Sequence, residues 1–158
     1  MTALSRNDFL NYMRAFNAHD FETQYNFYAD DVTLHIPDPK TGMLRGKDGI
    51  RGHYMPLFDV CDEYVVPMVV MNDAHKIFFI MESYFVYKTA REGVFGYPVE
   101  AGDIIKIRVW AYYEVENGKM QRIVCNLFQS WFLGKVDIRE LIRESESRAE
   151  PDLRIFNY

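Results

Sequence analysis

Four long runs in the second half of the chain leave few folds open: EYVVPMVVM from Glu63, KIFFIMESYFVYK from Lys76, DIIKIRVWAYYEVE from Asp103 and MQRIVCNLFQSWFL from Met120. Each is rich in β-branched and aromatic residues, which suit a pleated, half-buried surface better than a helix. Asn72-Asp73 and Asn117-Gly118 supply turn chemistry between them, and Asn-Gly is the stronger hairpin signal. In the third run Ile105, Ile107, Val109 and Ala111 share one face, and Lys106, Arg108, Trp110 and Tyr112 share the other. The expectation is an antiparallel sheet with one apolar face.

Helical signals precede these strands. Ser5 can cap a helix with Asp8 three residues on, and Phe9, Tyr12, Met13 and Phe16 recur at helical spacing, ending near Ala18. Asp20 reads as a second cap, for a short helix that carries Tyr25 and Tyr28 and closes at Ala29. VTLHIP is a strand broken by Pro37 and Pro39, and KDGIRGHYMPLF forms a third helix despite Gly49 and Gly52, which cost about 1 kcal/mol each. From Val136 to Arg148, Ile138, Leu141 and Ile142 sit at helical spacing, and Pro151 ends the segment. Helices followed by a run of strands indicate an α+β domain with the helices on one face of a curved sheet. The expected division is a domain over residues 1–135 and a C-terminal helical extension and tail over 136–158.

Charge and composition narrow the function. With 18 basic and 23 acidic residues, a formal charge of −5 and no Lys/Arg run, the electrostatic footprint of a nucleic-acid binder is missing. Cys61 and Cys125 form neither a Cys-x-x-Cys pair nor a zinc-ligand spacing, and His19, His35, His53 and His75 show no ligand spacing either, so no metal is expected. Two unpaired cysteines, no recognisable signal peptide and no apolar run of membrane-spanning length indicate a cytoplasmic protein without a membrane partner. The 11 Tyr and 12 Phe could line a large apolar cavity or simply fill a core.

The run Tyr-Ala-Asp-Asp-Val from Tyr28, the stretch Leu-Arg-Gly-Lys-Asp-Gly-Ile from Leu44 and the hairpin YYEVENGKMQRI, in this order and spacing, resemble the NTF2-like superfamily in its SnoaL-like and ketosteroid-isomerase-like branch, over about Leu4 to Phe132. The resemblance implies three N-terminal helices packed on a strongly bent, mostly antiparallel sheet, a cone whose open end holds a deep apolar pocket. Members include isomerases, dehydratases, aldol-type cyclases and epoxide hydrolases, and also proteins that only bind ligands or partners, so fold locates the site without naming the reaction. By comparison with the ketosteroid isomerases, Tyr12 falls at the oxyanion tyrosine, with Tyr28 and Tyr54 at two tyrosines that support it. The general-base position is Ile36 here, and the neutral aspartic acid is matched by Val109 or Trp110. Steroid-type isomerisation by that machinery is therefore not expected.

Strand parity sends Phe79, Met81, Ser83 and Phe85 inward, together with Ile105, Ile107 and Val109 and, after the Asn-Gly turn, Ile123, Cys125, Leu127 and Gln129. With Phe16, Tyr28, Ile36 and Tyr54 these form the expected substrate-binding wall, which suits a hydrophobic small molecule; large side chains could equally fill the cone. Asp38, two residues past the lost base position, is a candidate base at the pocket mouth or a turn residue between two prolines. His53 beside Tyr54 is a second candidate base or a helix-surface histidine, and His35 alternates away from Ile36. Glu82 has outward parity, where solvent or a dimer partner could satisfy it, and Cys125 reads as a small hydrophobe. The reading is a cofactor-independent isomerase, dehydratase or cyclase for a carbonyl-bearing substrate, with Tyr12, Asp38 and His53 as catalytic candidates. The alternative is a ligand-binding or assembly module without catalysis. A homodimer is expected through an outer sheet face bearing Trp110, Tyr112, Phe128 and Phe132.

Overall fold

The computed structural model describes residues 3–156. Helix α1 (Arg6–Asn17) starts at the expected capping box, in which the Ser5 side chain accepts from the Asp8 amide and the Asp8 carboxylate from the Ser5 amide. Asp20 caps α2 (Phe21–Tyr25), which is shorter than its sequence suggests. Tyr28 already belongs to strand β1 (Tyr28–His35), because its backbone pairs with Met120 in a parallel ladder that local periodicity does not show. A short β2 (Met43–Arg45) leads into α3 (Gly46–Val60), which runs through Gly49, Gly52 and Pro56.

The long strands follow: β3 (Cys61–Asn72) and β4 (Lys76–Tyr87), a small hairpin of β5 (Arg91–Glu92) and β6 (Pro98–Val99), then β7 (Ile104–Glu116) and β8 (Lys119–Gly134). Asn117 and Gly118 both take positive φ, at 52° and 72°, as a tight two-residue hairpin requires. The six-stranded sheet has the order β2-β1-β8-β7-β4-β3, with β1 and β8 its one parallel pair. On the concave face α1 and α3 bury Phe9, Tyr12, Phe16, Ile50 and Phe58 against Val65, Phe79, Ala111 and Ile123. Phe9 meets Phe79 and Tyr113 edge-on, with ring centroids 4.9 and 5.1 Å apart, and these rings close the narrow end of the cone.

Bulges curve the sheet and re-aim a few side chains. The β7–β8 register shifts at Phe128, so Gln129 pairs with Arg108 on the outer face instead of pointing inward. Phe132 lies opposite Ile105 on the inner side, its ring 6.4 Å from Tyr97. It is therefore removed from the expected outer patch.

The outer face is not left bare. Helix α4 (Ile138–Arg148), capped by Asp137, lays Ile142 against Val66, Met68, Tyr84 and Ile104. Leu153, beyond the helix, is fully buried in the main core, and Arg6 of α1 pairs with Glu150. Glu82 points outward as parity requires and is fully buried beneath α4, where this chain's own groups satisfy it. Arg148 grips the carboxylate with both terminal nitrogens, at 2.6 and 3.0 Å. Ser145 donates at 2.6 Å, Arg108 Nε at 3.0 Å, and Lys106 Nζ stands 3.4 Å away. Burial alone would raise the Glu82 pKa, but the hydrogen bonds from Arg148, Ser145 and Arg108 overcome it and hold the carboxyl at about 2.

A carboxyl held below its unfolded value stabilises the fold above pH 4.5, and that contribution is lost as the pH falls toward 2. Glu82→Gln should cost about 3 kcal/mol at pH 7 and flatten the acid limb of a denaturation series between pH 4.5 and 2. An acid limb unchanged in the variant would show that α4 is held by its apolar contacts alone.

Candidate active site

Two adjoining cavities lie between the helices and the concave face of the sheet. The outer one, of about 90 Å³, opens between α3, the loop after β1 and the Val94–Phe95 turn. The inner one, of about 50 Å³, is framed by Tyr12, Phe16, Tyr28, Phe79 and Tyr113. Tyr54, Glu63, Met81 and Cys125 line both and mark where they meet.

Glu63 is the chemically distinct member of this set. It is the third residue of β3, paired with Phe85 and aimed inward, with 7% of its surface exposed. Ser83 Oγ donates to its Oε2 at 2.6 Å. In contrast to Glu82, no cation among the described residues stabilises its charge: burial pushes the carboxyl up to about 7, against the opposing Ser83 hydrogen bond. A carboxyl that is half ionised near neutrality, in an apolar cavity, is suited to both taking and giving a proton.

The tyrosines form a second polar group at the inner end. The Tyr12 and Tyr28 hydroxyls lie 2.7 Å apart, and Gln24 Nε2 donates to Tyr28 at 2.9 Å. Burial raises the pKa of both, reinforced at Tyr12 by the neighbouring Tyr28 hydroxyl and opposed at Tyr28 by its hydrogen bonds with Tyr12 and Gln24, so both are neutral phenols at pH 7. Tyr54 is raised by burial and next by the Glu63 charge.

The remaining candidates divide between wall and core. Ile36, Phe85 and Val109 line the outer cavity, Phe16 and Phe79 the inner. Ser83 stands behind Glu63, Ile123 is wholly in the core, and Leu127 packs below the β5–β6 segment, and none of the three lines either cavity. Asp38 sits at the rim, where its side chain accepts from the Lys40 amide and its carbonyl from Thr41 and Gly42, a local turn. His53 lines the outer cavity; burial lowers its pKa, partly offset by Asp38, so it is neutral at pH 7. Burial, then the Glu63 charge, pushes Cys125 up to about 12, which leaves it a thiol.

Glu63, Tyr113, Val94 and Phe95 went unpredicted. The signal for Glu63 was its parity with Val65, opposite an inward Phe85. Val94 and Phe95 come from a segment without periodicity, placed where it is because Gly93 has no Cβ: one there would meet Ile105 Cδ1 at 2.9 Å and Tyr87 Cζ at 3.2 Å. Among the described residues no cluster could hold a metal ion, and no helix is long and apolar enough to cross a membrane.

Three helices against a bent sheet of this strand order, with an apolar cavity on its concave face, define the NTF2-like class of fold. Within it the chain belongs to the SnoaL-like domain family, whose profile matches residues 9–123. A SnoaL-like polyketide cyclase from Agrobacterium tumefaciens superposes with a TM-score of 0.62 at 20% identity, over 91% of this chain and 98% of that one. An NTF2-like protein of unknown function from Burkholderia pseudomallei gives 0.60 at 16% over 88% and 96%, and a computationally designed 17-OHP binder gives 0.63 at 15% over 84% and 98%. No curated protein matches the chain in sequence.

A carboxyl raised from 4.5 to about 7 favours the fold below pH 4.5, and that contribution disappears as the pH climbs through 7. Glu63→Gln should therefore gain about 3 kcal/mol relative to the parent at pH 8.5, and little at pH 4. Denaturant midpoints at the two pH values test this, and equal differences at both would mean that Glu63 is solvated.

Proposed function

We propose that the chain is a cofactor-independent isomerase, dehydratase or cyclase acting on a hydrophobic carbonyl-bearing molecule, with Glu63 as the acid/base group. The observation that carries this reading is a buried carboxyl on both cavities, held by one hydroxyl and titrating near 7. As carboxylate, Glu63 takes a proton from the carbon next to the substrate carbonyl, and the electron pair of that C–H bond moves to the carbonyl oxygen. Gln24 donating to Tyr28, and Tyr28 to Tyr12, would leave the Tyr12 proton free to stabilise that oxyanion. The neutral Glu63 acid then returns its proton: to another carbon in an isomerisation, to a departing oxygen in a dehydration, or to the new alkoxide in an aldol-type cyclisation. On this reading His53 donates to a polar substituent in the outer cavity, and Asp38 holds the rim loop.

Deuterium exchange from D2O into small cyclic enones reads the first step without knowledge of the physiological substrate. Exchange should rise with pH through an apparent pKa near 7. Glu63→Gln should lower it a hundredfold or more, and Tyr12→Phe should cost about 2 to 4 kcal/mol of barrier. A loss in Asp38→Asn or His53→Gln matching that of Glu63→Gln would move the base to that residue. Enones that bind but never exchange would favour a ligand-binding module, the role named for the designed 17-OHP binder of this fold.

The same reading has the protein act as a cytoplasmic homodimer. Two free cysteines support the compartment, and the outer-face patch of Phe78, Trp110 and Phe128, the last 55% exposed and none of them under α4, supports the pairing. Light scattering at micromolar concentration should give twice the chain mass; a monomer would remove this part of the proposal.

A further inference from the structure

The site has a narrow size limit and a charge preference, and both follow from its walls. Its cavities measure about 90 and 50 Å³ and share Tyr54, Glu63, Met81 and Cys125 as common lining. Together they are comparable to a void of about 150 Å³ that holds one benzene ring, and they fall well below the roughly 300 Å³ at which drug-sized ligands begin to fit.

The inner limit is set by packed aromatic rings. Tyr113 projects from β7 on the same face as Val109 and Ala111, and its ring is fixed edge-on to Phe9 and 6.2 Å from Tyr12. Phe79 closes the other side, 4.9 Å from Phe9. All four rings are buried. Deepening the pocket would mean pulling this cluster apart.

Charge gives the second limit. The titratable groups lining the two cavities are acids, phenols, Cys125 as a thiol and His53, which is neutral at pH 7; among the described residues no Lys or Arg lines either cavity. An anionic ligand would meet Glu63 with no cation to offset the repulsion or the loss of hydration. A neutral carbonyl or hydroxyl oxygen can instead accept from the Glu63 acid or from a phenol.

The geometry points to a neutral, single-ring carbonyl compound as the substrate class, with phenols of the same size as ligands and with fused polycycles and carboxylates excluded. This rests on the assignment of the cavities as the reaction site, but it is read by binding alone. Titration calorimetry with phenol, 2-cyclohexenone, benzoate and 2-naphthol at pH 8 tests it. Phenol and 2-cyclohexenone should bind, benzoate at least tenfold more weakly than phenol, and 2-naphthol at least thirtyfold more weakly. Met81→Ala, which widens the junction of the cavities, should bring 2-naphthol to within about threefold of phenol, and the milder Cys125→Ala should move it the same way. Met81→Trp, which fills the junction, should abolish phenol binding, which separates this site from adventitious ones.

Wild-type protein that binds 2-naphthol or benzoate as tightly as phenol would overturn the proposal, as would failure of both neutral single-ring compounds to bind at millimolar concentration. Failure of the proton-transfer reading looks different: single rings bind with the predicted cut-off, and Glu63→Gln leaves deuterium exchange unchanged. Exchange lost in Glu63→Gln together with tight naphthol binding would sink the size limit alone.

Discussion

The pairing of β4 with β7 is the constraint on which the rest of the structure depends. It runs from Lys76–Glu114 to Val86–Ile104 without a register shift, so every side chain on these two strands keeps its face. Their neighbours carry the irregularities: β3 bulges between Pro67 and Val69, and β8 bulges at Phe128. A straight β4–β7 ladder with bulged neighbours on either side yields a sheet bent enough to wrap α1 and α3 while leaving its inward side chains in fixed register. One slipped residue on β4 would exchange Ser83 for Glu82 inside the cone.

That register separates two buried carboxylates by little chain and gives them opposite electrostatics. Val65 pairs with Ser83 and Val66 with Glu82, so Glu63 and Glu82 occupy opposite faces of the same pair of strands. Outside, Arg148, Arg108 and Lys106 surround Glu82 and hold it ionised, as a staple between α4 and the sheet. Inside, Glu63 meets a hydroxyl and apolar walls, and its charge is disfavoured. The difference lies in which neighbours the fold supplies, since the residue type is the same. Only the interior carboxyl retains a proton to exchange near neutral pH.

Much of this was legible before the structure. Period-two alternation marks the four strands, the Asn117-Gly118 turn marks the last hairpin, and the Ser5–Asp8 box marks the start of α1, because each of these signals is local. What escaped depends on partners far away in sequence. Tyr28 is drawn into β1 by Met120, Gln129 and Phe132 change faces at a bulge, and the Val94–Phe95 turn reaches the mouth through a close approach at Gly93. Glu63 was missed for a subtler reason. A glutamate that opens a strand looks like its solvated end, and only its pairing with Phe85 reveals that the end is buried.

The tyrosine pair and Glu63 also explain why the interior is small. A buried carboxyl with one hydrogen bond is a cost to the fold, and a wide, wet pocket would relieve it by hydration, returning the carboxyl toward its ordinary titration. The packing of Phe9, Phe79 and Tyr113 closes the inner end of the site and supplies apolar burial that offsets the cost. Cavity size and carboxyl basicity are thus coupled. Enlarging the site by removing a ring would admit larger molecules and water together and lower the Glu63 pKa. A wider cavity would keep the raised Glu63 pKa only if a new apolar side chain restored the dry surface around that carboxyl.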